Sequence, residues 1–124
     1  MMKYESKISL VLGAHVHHSQ FRLFKDKIPM FLTPSFSTYA ENNPGFTTIE
    51  LNDFASNLWT HHIDLFEQMY KNVIKFNTFD FSKLGLDEIK EENVRSMLYN
   101  IWTSKEYTKH LLSYFMGYTP EHAY

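Results

Sequence analysis

The sequence predicts an α+β fold, with about five mostly antiparallel strands followed by C-terminal helices. Three observations carry this. Up to position 64, short apolar runs rich in β-branched and aromatic residues alternate with turn residues. The connections between those runs are short, which suits antiparallel neighbours, since a parallel pair needs a long crossover. Beyond Leu65 the apolar residues recur at helical spacing. The chain of 124 residues is one domain's length, and with 44% hydrophobic and 17% aromatic residues it can bury a modest core. We read a single domain over 1–124, with a strand-rich part at 1–64 and a helical part at 65–124.

The first strand is read over Ile8–Leu12, with Gly13-Ala14 behind it to turn the backbone. Phe21–Phe24 and Met30–Thr33 follow, and Lys25-Asp26-Lys27 between them forms a hairpin tip. Phe46–Leu51 and Asn57–His62 supply the fourth and fifth strands. The stretch Pro34–Gly45, rich in Ser, Thr, Asn and Pro, is long for a tight connection and is a second place for chemistry. In the helical part, Val94, Met97, Leu98, Ile101 and Trp102 fall on one stripe. Tyr107, Leu111, Tyr114, Phe115 and Tyr118 fall on another, and both stripes read as packing surfaces. Thr103-Ser104-Lys105-Glu106 has the form of a capping box, with Thr103 accepting from the Glu106 amide. Gly117 followed by Pro120 marks the stop.

Composition narrows the function classes. Twelve basic residues against fourteen acidic ones leave no basic field for nucleic acid or for an acidic membrane surface. No apolar stretch approaches a membrane span, and the N-terminal residues lack a signal peptide's apolar core. The absence of cysteine excludes disulfides and thiolate metal sites, and there is no Asn-x-Ser/Thr acceptor. These marks leave localisation open.

Chemistry concentrates in His15-Val16-His17-His18. In an extended segment His15 and His17 point the same way, and two neutral imidazoles form half of a divalent-metal site. An exposed turn that holds three histidines gives the same pattern, and no carboxylates stand at a recognisable ligand spacing. His18 is read as exposed, or as a donor behind the site. His61 and His62, adjacent on a strand, face opposite sides, one tucked and one solvated. His110 and His122 are read as surface positions.

The order of residues after the cluster adds to this. Phe21, the run to Thr33-Pro34-Ser35, and Asn43-Pro44-Gly45 before another strand follow His15-Val16-His17 in turn. This order resembles the C-terminal part of the calcineurin-like metallophosphoesterases, in the acid sphingomyelinase-like branch. The resemblance covers Lys7–Leu51 and, more loosely, Phe76–Tyr118. It implies the C-terminal half of a four-layer αββα fold and a phosphodiesterase that hydrolyses its substrate with metal-activated hydroxide. His15 and His17 would each ligate one of two divalent ions, for which imidazole donors favour zinc. Tyr39 and Asn43 would lie on the substrate side, facing a phosphodiester such as a sphingolipid or a nucleotide. The family is typically secreted or lysosomal.

Two departures shape the expectation. Ala14 stands where the family has glycine, adding a Cβ close to the metals. The family's Asp-x-His, Gly-Asp-x-x-Asp and Gly-Asn-His motifs do not occur, so the bridging Asp and the general-acid His are missing. The chain is therefore expected to be incomplete, with an N-terminal phosphoesterase half as its partner in cis or as a separate chain, and inactive alone. One sheet face should then stay apolar and exposed. The alternatives are a non-catalytic scaffold subunit derived from this fold and a stand-alone metal- or ligand-binding module.

Overall fold

The computed structural model describes residues 2–39, 42–72, 74–108 and Tyr114. Its strands form two three-stranded sheets. In the first, β1 (Val11–Gly13), β2 (Gln20–Phe24) and β3 (Ile28–Leu32) lie in the order β1-β3-β2. In the second, β4 (Gly45–Leu51), β5 (Ala55–Ile63) and β6 (Phe76–Asp80) are antiparallel throughout and lie in chain order. The helices are α1 (Leu65–Lys71), α2 (Glu91–Thr103) and α3 (Lys105–Thr108), with 3-10 turns at Met2–Lys7 and Phe81–Leu84. The class is α+β, as the sequence implies.

The first sheet departs from the expected antiparallel pattern. β1 pairs with β3 in parallel, Val11 opposite Met30 and Gly13 opposite Leu32, while β2 and β3 form the hairpin. A short connection suffices here because residues 14–19 step over one strand position, which β3 then fills from the hairpin. The first strand is also shorter than expected, since the Ile8 amide still donates to the Glu5 carbonyl behind the 3-10 turn. At the hairpin tip Lys25 and Asp26 both adopt left-handed backbone, with φ of 51° and 60°, which matches strand twist. Arg95 clasps this tip through the Asp26 carboxylate at 3.0 Å and its carbonyl at 2.8 Å.

The core lies between β2, β3, β5, the 81–84 turn and α2. Phe21, Phe31 and Phe81 meet with centroids 4.8–5.7 Å apart, and Leu58, Leu84, Leu86, Val94, Met97 and Ile101 close around them. Gly85 ends the 81–84 turn at φ 79°, where a side chain would be strained. The α2 stripe packs through Val94, Met97 and Ile101, with Leu98 partly buried. Trp102 lies off that face and is exposed. Thr103 closes α2 rather than opening the next helix, and its hydroxyl donates to the Tyr99 carbonyl at 2.8 Å. Of the second stripe, Tyr107 packs against the core and Tyr114 is buried, its hydroxyl accepting from the Phe21 amide. Leu111, Phe115, Tyr118 and the Gly117–Pro120 stop lie outside the described residues.

Part of the region beyond Leu65 is strand rather than helix. β6 escapes the helical reading because Phe76 and Phe79 stand three apart, a spacing that mimics a helix although the two rings project to opposite sheet faces. The outer face of the second sheet carries Phe46, His61 and Phe76 in ring contact, and Phe76 is exposed.

Candidate functional site

Residues 14–19 leave the carboxyl end of β1 beside that of β3, the end of a parallel pair at which binding loops gather. The extended alternation expected for this segment does not hold. His15 and His17 both have positive φ, 90° and 67°, so the loop turns at each of them and strand geometry does not set their direction. Histidine tolerates the left-handed region better than most residues, but two such positions in one short loop cost backbone energy. His15 is exposed, whereas His17 is partly buried and its Nδ1 has no hydrogen-bond partner among the described residues.

The second loop, 33–44, emerges at the same end, from β3. Serine hydroxyls shape it, Ser35 Oγ accepting from the Ser37 amide at 3.0 Å and Ser37 Oγ from the Tyr39 amide at 3.1 Å. The Tyr39 ring is exposed and meets the His17 ring edge-on, with centroids 6.1 Å apart. Asn42 Nδ2 donates to the Tyr39 carbonyl at 3.1 Å. Asn43 is 3% exposed and its Oδ1 accepts from the Leu65 amide at 3.1 Å, so it braces the backbone from inside. Gly45 closes the loop, its amide donating to the Ser35 carbonyl at 2.9 Å. The Thr33 and Thr47 hydroxyls, 2.8 Å apart, tie the two sheets beneath.

The structure thus brings His17 and Tyr39 into contact and places His15 on the same loop. Sequence reasoning missed Asn42, for which the Asn-Asn doublet before Pro44 was the available signal, and the Thr33–Thr47 link, which only the pairing of the sheets reveals. The paired histidines of β5 divide as expected. His61 is on the outer face, with Nε2 2.8 Å from Thr48 Oγ1 and Nδ1 2.8 Å from Thr78 Oγ1. His62 is buried, and burial followed by the charge of His61 lowers its pKa to about 4.

Among the described residues no three His, Cys, Asp or Glu side chains gather as a metal site. The donors at the candidate site are the two imidazoles, one with a ring nitrogen that no described residue bonds. Two imidazoles would supply at most two positions of a larger ligand set. A crevice of about 740 Å³, lined among others by Lys3, Lys27, Phe54 and Lys90, opens elsewhere and includes none of these residues. His110 and His122 lie outside the described residues. No helix among the described residues is long and apolar enough to cross a membrane. No protein-family model and no curated protein matches the chain.

Proposed function

We propose that the chain is the C-terminal portion of a dinuclear-metal phosphodiesterase of the acid sphingomyelinase-like branch, its sheets belonging to a four-layer αββα fold. One observation carries the reading. The His-x-His loop and the Tyr39 loop leave the same carboxyl end of the parallel β1–β3 pair, and their rings touch. His15 and His17 would hold two divalent ions, zinc by donor chemistry, together with carboxylates and imidazoles from an N-terminal half. When bound, the ions supply an activated water and charge neutralisation at the phosphoryl group. Tyr39 would face the substrate headgroup, whereas Asn43, expected on the substrate side, is buried and bonded to the Leu65 amide and so supports the loop without reaching substrate. The general acid belongs to the partner half. The substrate is a phosphodiester, with sphingolipid and nucleotide diesters as the classes to assay.

The test is metal content and hydrolysis of a chromogenic phosphodiester and of sphingomyelin, for the chain alone and joined to a candidate N-terminal half. The expected result is no metal-dependent turnover alone and turnover on joining. His15→Ala with His17→Ala should abolish metal binding in the assembly and leave the fold intact. Unchanged metal content in that double variant would refute the ligand assignment. Failure of every joined assembly to turn over would favour the scaffold alternative.

A further inference from the structure

The bend Asn43-Pro44-Gly45 rests on β5 and on the start of α1. Gly45 lies opposite His62 in the β4–β5 ladder, and a Cβ at position 45 would stand 2.5 Å from His62 Cδ2 and 2.9 Å from its Nε2. The ring therefore fills the space that a side chain would need. The Ile63 amide donates to the Pro44 carbonyl at 3.0 Å, and the Leu65 amide donates to Asn43 Oδ1 at 3.1 Å. Between them Asp64 caps α1, its Oδ1 accepting from the Phe66 and Glu67 amides at 3.0 and 3.1 Å. His62 is 2% exposed, and its Nε2 is buried without a partner among the described residues.

We infer that His62 is a positioning residue for the 33–44 loop, its neutral ring forming the floor under Gly45, and that protonation of this ring releases the bend that carries Asn43 and sets the reach of Tyr39. The role of the loop in substrate binding rests on the function proposed above; the release itself involves neither metal nor substrate. A proton on Nε2 would place a charge in a buried site with no acceptor among the described residues. The charged and titratable groups around it among the described residues offer none. His61, adjacent in sequence, repels a second positive charge. Asp64 is committed to the α1 amides. On β6 the residue opposite His62 is Asn77, whose amide donates to Glu67, and that carboxylate is also held by Lys71 at 2.9 Å. The sign follows from linkage. The ring titrates near 6.5 when unfolded and near 4 in the fold, so its stabilising effect is complete above the first value and lost as pH falls toward the second.

Amide hydrogen exchange followed by NMR on the full chain tests this, with rates corrected for the intrinsic effect of pH. The Gly45, Ile63 and Leu65 amides report the bend, and the Ile89 amide, bonded to the Ala55 carbonyl at 3.0 Å, reports the core. Protection of the three should fall by on the order of tenfold per pH unit between the two titration points, with Ile89 remaining better protected than all three throughout. In His62→Gln, which does not titrate, the fall should vanish. Flat protection in the native chain, an equal fall in the variant, or bend amides exchanging no faster than Ile89 would each overturn the inference. Should His62→Gln not fold, the native pH series with its Ile89 control decides alone.

Discussion

Gly45 cannot carry a side chain without moving backbone, because an added Cβ would also stand 2.7 Å from the His61 carbonyl. Gly45→Ala is expected to destabilise the chain by about 1–3 kcal/mol, measured as a lower urea midpoint at constant slope. Tyr114 makes an alkaline counterpart to His62. Burial pushes its phenol well above the ordinary value of 10, so its stabilising effect is present below that value and lost as pH rises beyond it. Tyr114→Phe should remove this alkaline dependence and cost about 1–3 kcal/mol, since the buried Phe21 amide then loses its acceptor. At this scale the sequence shows which residue types are present and hides their partners. His15 and His17 stood out by chemistry and spacing, and Tyr39 only through the resemblance. The floor under Gly45 did not, because β-pairing between residues 45 and 62 is needed before that glycine has meaning.

The helices divide by what they bury. α2 turns Val94, Met97 and Ile101 into the core, whereas α1 buries none of its residues and exposes Phe66, Met69 and Tyr70. α1 is held by caps instead, with Asp64 at its start, left-handed Asn72 at its end and a Glu67–Lys71 pair at 2.9 Å. Met97→Ala should therefore cost about 2–5 kcal/mol, while Met69→Ala should stay within about 0.5 kcal/mol. Thermal melts of the two variants side by side check the contrast, and equal shifts would refute the assignment of faces. α2 was legible because its stripe is long and one-sided. Five strands were legible from their turns, with ends displaced by a few residues. β6 was not, since a strand that places one phenylalanine on each face breaks the alternation that marks a half-buried strand. The parallel β1–β3 pair was also hidden, because pairing order is a tertiary choice that loop length constrains only when adjacent strands are consecutive.

At the scale of the molecule, both candidate loops lie at one end of the first sheet, and under the proposed function their donors would amount to a partial ligand set. Isolated metal affinity should accordingly be weak, with half-saturation at far higher zinc than in a joined assembly, as isothermal titration of the two would show. The core, by contrast, draws on nearly the whole described length. Phe21 and Tyr114, joined by a hydrogen bond, are 93 residues apart in sequence, and Phe81 touches both rings. During synthesis the amino-terminal strands therefore leave the ribosome long before the tyrosine that completes their packing. A nascent chain stalled before that residue would present Phe21, Phe31 and Phe81 to chaperones until the tyrosine emerged to cover them.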